Sequence, residues 1–194
     1  MLSSLFDYAI EFAKAVRKDR KRLIIASLGV FGLMAALFGV LGQFVILLLT
    51  ALSVVVAFFV GEFMVRHVGI ELVTFTSVFT GFLFGPVVGF FFGCVLLAVH
   101  LMLSKLLGPY VIYCIPMMGV VGMLSGYAGA GGWFGGNIAL IGIMLSLLYN
   151  LVTGTLGTIF SGNFFKELMW NGTNFALNFV LFAKVAPIIL AIIM

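Results

Sequence analysis

Charge is what this chain lacks. Of its 194 residues 8% are Asp, Glu, Lys or Arg, against about 25% in an ordinary soluble domain. Aspartate occurs only at Asp7 and Asp19, both near the N-terminus, and Glu62, Glu71 and Glu167 are scattered near the ends of apolar segments. Metal-assisted phosphoryl transfer needs clustered carboxylates, so that chemistry is not expected. HExxH, GxSxG and a Cys–His constellation are missing, as are GxGxxG and a Lys-Ser/Thr phosphate loop. The charged or carbonyl-lined rings of an ion channel are missing too. The reading is a non-enzyme with no cofactor. Cysteine is scarce as well: Cys94 and Cys114 both fall inside apolar runs, where a thiol is usually a small packing residue, so neither a disulfide nor a metal pair is expected. No cleavable signal peptide is apparent.

Apolar sequence fills the space left by charge. The chain is 64% hydrophobic with a mean hydropathy of +1.33, which only a bilayer solvates. The runs are long and continuous rather than alternating, so helices are expected and a barrel is not. The expected architecture is all-α: a polytopic membrane bundle of six to seven transmembrane helices behind an N-terminal amphipathic interfacial helix. Residues 1–22 form that first segment, with Leu2, Leu5, Phe6, Ile10, Ala13 and Val16 on one face. A basic run, Lys14, Arg17, Lys18, Arg20, Lys21 and Arg22, follows within it and suits the cytoplasmic leaflet. The net charge of +4 resides mostly there, which signals membrane orientation rather than nucleic-acid binding.

Residues 23–194 read as one transmembrane domain. Leu23–Leu41 is long enough to span, and Gly39 with Gly42 brackets a tight turn before Gln43. Phe44–Gly61 ends at Glu62 and Arg66, an i,i+4 ion pair; a metal site from Glu62, His67 and Glu71 matches no strong template. Glu71–Phe84 is short for a span. Val87–Leu103 follows Pro86 and carries His100, expected to be a satisfied interfacial group. Tyr110–Tyr127 contains Pro116, a kink candidate, and Gly122/Gly126, a small-residue contact. Gly129–Asn137 is an uncharged loop with Trp133 as a headgroup anchor. Asn137–Phe160, a loop over Ser161–Trp170 and a last helix to Met194 complete the chain. Counting seven segments from a cytoplasmic N-terminus places Arg66, Lys105 and Lys166 inside and the C-terminus outside. A multi-pass protein of the cell membrane is implied.

Gly81, Gly85, Gly89 and Gly93 recur every fourth residue, with Pro86 beside the second. In a bilayer, where lipid removes the hydrophobic drive between helices, such a stripe permits close backbone approach. Gly81, Gly85, Pro86, Gly89 and Gly93 are therefore expected to form a packing seam broken at Gly85-Pro86.

Polar residues gather in the last two helices. Asn150 and Thr153 precede the Ser161–Trp170 loop; Trp170, Asn171, Asn174 and Asn178 follow. Amides in hydrocarbon must bond to each other, to water or to a ligand. Two readings stand: interhelical glue at about 1 kcal/mol per bond, or a site for a small, flat, polar organic ligand walled by Phe164, Phe165 and Trp170. Asn171-Gly-Thr173 also fits a glycosylation sequon at a membrane edge.

The run TGFLFGPVVGFFFGCVLLAVHLMLSKLLGPY (Thr80–Tyr110), followed by a Pro- and Gly-bearing helix, resembles the substrate-binding (S) components of energy-coupling-factor vitamin transporters. Many of those carry a Gly-Pro-x-x-Gly turn between their second and third helices, here Gly85-Pro86-Val87-Val88-Gly89. The resemblance extends in pattern over residues 43–194. It implies a ligand pocket in the later helices involving Asn150, Trp170, Asn171, Asn174 and Asn178, and a transmembrane coupling subunit with an ATPase as partners. Three departures accompany it. Both termini of S components are cytoplasmic and their loop before the last helix faces outward, whereas the positive-charge count puts Lys166 inside. Segment 23–41 has no counterpart. The docking face of their first helix is matched only loosely by Gly32-xxx-Ala36 and Ala35-xxx-Gly39. The functional expectation is a substrate-binding transport subunit for a small polar nutrient, energised by a separate ATPase module. The alternatives are a membrane scaffold or assembly protein of MreD-like type and a homo-oligomeric channel or carrier.

Overall fold

The computed structural model describes residues 40–63 and 68–193. The amphipathic segment 1–22, most of the apolar run 23–41, the loosely matching docking face, Arg66 and His67 lie outside the described residues. What is described is all-helical. α1 spans Val40–Phe63, α2 Val73–Phe84, α3 Pro86–Leu103, α4 Val111–Ala130, α5 Ile138–Ser161 and α6 Phe164–Val180. A π-helical turn, Leu181–Val185, joins α6 to α7, Ala186–Ile193. Among the described residues five runs are long and apolar enough to cross a membrane: Leu41–Phe63, α3, α4, α5 and the joined stretch Phe164–Ile193. The protein is built for multiple passes through a bilayer.

Side-chain distribution supports the same environment. Leu41, Phe44, Leu48, Leu52, Val55 and Phe59 follow helical spacing along α1 and are all exposed. Ser53, Thr74, Thr76, Ser77, Thr80, Ser125 and Ser146 are buried. Apolar groups face outward and small hydroxyls inward, the inverse of a protein solvated by water. Thr76 donates to the Leu72 carbonyl and Thr80 to that of Thr76, whereas the Ser53 and Ser77 hydroxyls have no protein partner among the described residues.

α2 is the axis of the bundle. Val73 to Gly81 are buried without exception, although the helix has only 12 residues, about 18 Å of rise. It ends at Gly85, whose φ of 92° and ψ of 173° are closed to a side chain. Pro86 then opens α3 at a position that needs no amide donor. The chain reverses here, so the glycine stripe does not run along one helix. Gly81 and Gly89 meet across the hairpin: a Cβ at Gly89 would lie 2.7 Å from the Gly81 Cα. Both press on α4, where Gly122 faces Gly89 backbone to backbone, Gly93 faces the Met118 carbonyl, and Gly126 faces Gly85-Pro86. The seam is thus shared by three helices and includes the Gly122/Gly126 contact. Gly85 itself serves as the hinge of the turn, with nothing within 4 Å of its missing side chain. Ser125 of α4 locks the contact by donating to the Val78 carbonyl at 2.6 Å.

Two expectations are corrected. Gly42 and Gln43 do not make a turn, because α1 runs unbroken from Val40 through both. The loop over Ser161–Trp170 is only the bend Ser161-Gly162-Asn163. Gly162 takes a left-handed φ of 68° to end α5, and the Asn163 side chain caps α6 by accepting from the Lys166 amide. Glu62 pairs with Lys105 at the start of the α3–α4 connection, while its expected partner Arg66 lies outside the described residues.

The helices alternate between two ends of the bundle. At one end Gly42 lies against Phe84, and Gly129 against Phe82. At the other, Gly61 lies against Leu103 and Ser104, Gly69 against Trp170, and Tyr113 stacks on Phe160. Val40 and Ile193 consequently fall at the first end, and the polar residues gather at the second.

Candidate functional site

A cavity opens at the second end, below the connection between α3 and α4. The space open to the centres of water-sized spheres is about 100 Å³, room for several waters or a small solute. Its floor is Glu71, which stands just before α2. Leu97, His100 and Leu101 of α3 form one wall; Tyr110, Tyr113 and Cys114 form the next. Tyr149 and Thr153 of α5 and Lys166, Glu167, Trp170, Asn171 and Asn174 of α6 close it.

Glu71 is the centre of a hydrogen-bond network. Its residue is 4% exposed. Oε1 accepts from Thr74 Oγ1 at 2.6 Å and Asn174 Nδ2 at 2.8 Å, and Oε2 from the Thr74 amide at 3.0 Å. The carboxylate therefore satisfies an amide at the free N-terminus of α2, where negative charge also suits the helix dipole. Asn174 extends the network. Its Oδ1 accepts from Asn150 Nδ2 at 2.9 Å and from Asn178 Nδ2 at 3.2 Å. Alongside, Thr153 donates to Asn171 Oδ1 at 3.0 Å, while Asn171 Nδ2 donates to the Glu167 carbonyl.

The six residues singled out from the sequence thus divide. Thr153, Trp170, Asn171 and Asn174 line the cavity. Asn178 is fully buried behind it and buttresses Asn174. Asn150 also supports Asn174, and borders a separate groove of about 280 Å³ on the outer face of α5 and α6. Glue and cavity lining coexist in one network. The aromatic wall differs from expectation: Phe164 and Phe165 are 56% and 77% exposed, and Tyr110, Tyr113 and Tyr149 take their place beside Trp170. The Asn171 sequon lies inside α6 with its amide engaged, a conformation unsuited to glycosylation.

His100 corrects another expectation. It is 2% exposed, yet neither ring nitrogen has a hydrogen-bond partner, while its own carbonyl accepts from Ser104 Oγ. An unpartnered buried polar group costs about 1–3 kcal/mol, and this one borders the cavity. Glu71 and His100 were missed as site residues because 29 positions separate them and neither belongs to a motif. The available signal was a carboxylate just ahead of a short apolar segment, a combination that needs a dedicated set of donors.

Comparisons with family models, with curated proteins and with solved structures find no match to this chain.

Proposed function

We propose that this protein is the solute-binding subunit of a membrane transport system. A small polar nutrient sits in the cavity between α2, α3, α4, α5 and α6, and no chemical step is performed on it. Energy comes from a separate ATPase acting through a transmembrane coupling partner, since the chain carries no nucleotide motif. The observation that supports this reading is the hollow itself, which Glu71, Thr153, Asn171 and Asn174 share beside the buried ring of His100. A purely structural network would gain by closing that space around its polar groups. The likeness to energy-coupling-factor S components agrees, because the cavity adjoins the connection before the last long helix. In this reading the cavity opens to the outside. The face holding Val40 and Ile193 is then cytoplasmic, the reverse of the placement that the positive-charge count gives Lys105 and Lys166.

The test is a thermal-shift screen of small polar solutes on the full chain in lipid nanodiscs. At least one solute should raise the transition temperature saturably. Thr153→Val with Asn171→Leu should remove that shift, whereas Asn178→Leu should lower the basal transition and leave a shift in place. If no solute acts, the protein is a membrane scaffold. If uptake persists without any coupling ATPase, the energising part of the proposal fails and a self-contained carrier replaces it.

A further inference from the structure

Resting on that reading, we infer that the cavity takes a small organic cation, a solute bearing an ammonium or protonated ring nitrogen. The first observation is an imbalance of charge. Every hydrogen-bond donor to the buried Glu71 carboxylate is neutral: the Thr74 amide, the Thr74 hydroxyl and the Asn174 side chain. Among the described residues no lysine, arginine or histidine forms an ion pair with it; the described pair joins Lys105 to Glu62. A carboxylate this deeply buried is ordinarily matched by a positive charge. Glu167 adds a second carboxylate to the lining. Lys166 opposes the two, but it is an exposed residue whose ammonium is free to stay in water.

The second observation is independent of charge. Tyr110, Tyr113, Tyr149 and Trp170 border the same space. Aromatic faces attract cations through their quadrupole, and they do so best where water is excluded. The third is Thr153 and Asn171, which border the same space and offer neutral hydrogen-bonding groups to the polar remainder of the solute. A carboxylate floor and ring walls together select an organic ammonium over a neutral or acidic molecule of the same size. A bare metal ion is disfavoured, because no group of three or more metal-ligating side chains converges among the described residues.

The experiment uses the full chain in nanodiscs carrying Trp133→Phe, which leaves Trp170 as the single tryptophan reporter. Three probes of matched shape are titrated: choline, its uncharged isostere 3,3-dimethylbutan-1-ol, and 3,3-dimethylbutanoate. Choline should change Trp170 fluorescence saturably, and the uncharged isostere should bind at least about tenfold more weakly. Glu167→Gln should weaken choline about tenfold and leave the elution profile of the protein unchanged. Glu71→Gln should abolish choline binding; it keeps an oxygen to accept from Thr74, and Glu167→Gln carries the test if that variant fails to fold. Equal or tighter binding of the alcohol overturns the cation assignment but leaves a solute site standing. Preference for the carboxylate probe overturns it in favour of an anion held by Lys166. Absence of any response to choline also overturns it, and only a blank solute screen as well would remove the binding reading.

Discussion

Asn174 is the residue on which the cavity wall turns, and its removal has a calculable pattern of cost. The side chain makes one bond to Glu71, ahead of α2, one to Asn150 on α5 and one to Asn178 on its own helix, at 2.8, 2.9 and 3.2 Å. The first involves a carboxylate, for which about 1.5–3 kcal/mol is typical. The second is a neutral interhelical bond, worth about 0.6 kcal/mol on average in membrane proteins and at most about 1.7. The third is the weakest, because Asn178 Nδ2 retains the Asn174 carbonyl as a partner. Asn174→Ala should therefore cost about 2–4 kcal/mol. Double-mutant cycles with Glu71→Ala, Asn150→Ala and Asn178→Ala should return coupling energies that fall in that order. Reversible unfolding in mixed micelles, or steric trapping in bilayers, provides the free energies. A Glu71–Asn174 coupling below about 0.3 kcal/mol, the level at which independent sites add, would refute the network and the cavity floor with it.

Three further outcomes are expected. Gly122→Ala would drive a methyl into the Gly89 backbone, which no rotamer change relieves, so it should destabilise by about 2 kcal/mol or more; Gly172→Ala, with nothing within 4 Å, should be neutral or up to about 1 kcal/mol stabilising by helix propensity. Thermal denaturation of the two variants side by side checks the contrast. Gly162→Ala forces a side chain into the left-handed bend and should cost about 1–2 kcal/mol, comparable with Asn163→Ala, which removes the cap of α6. Ser161→Cys, in a chain with Cys94 and Cys114 replaced, should react with an impermeant maleimide from outside intact cells; labelling only after permeabilisation would invert the assigned orientation and leave the cavity chemistry untouched.

How much of this was legible in the sequence depended on range. Composition and continuous apolar runs were enough for a multi-pass helical bundle, because the demand that backbone groups be satisfied in lipid acts on every residue alike. The polar pairing of Asn150 and Thr153 with Asn171 and Asn174 was legible too, since consecutive helices are usually neighbours in space. The bend itself was misjudged. Ser161-Gly162-Asn163 holds both a helix stop and a helix cap, but the apolar-aromatic run after it hid the new start. The glycine period was read as a seam broken at Gly85-Pro86, and the reversal there makes it a clasp among α2, α3 and α4. Glu71 and His100 could not be paired from sequence at all. Their proximity is created by the α2–α3 hairpin, and only tertiary geometry reveals that His100 lacks a partner.

The length of α2 explains why the cavity lies where it does. Its 12 residues rise about 18 Å, against a hydrocarbon core of about 30 Å. At the Gly85 end the axis is filled: glycine backbones of three helices touch, and no side-chain volume remains to move. At the Glu71 end the axial helix stops short, and α3, α4, α5 and α6 continue past it around unfilled space. Backbone groups freed at that terminus require acceptors, which is why a carboxylate and its amide partners are found at this level and not elsewhere in the interior. The hollow and its polarity therefore have one origin, a central helix too short to span. Cys114→Phe separates the two consequences, because it fills the hollow without touching the Glu71–Asn174 network. Fold stability should hold within about 1–2 kcal/mol, and solute binding should be lost. Retention of binding by a correctly folded Cys114→Phe protein would mean that the solute sits elsewhere and that the gap beneath α2 is only a packing defect.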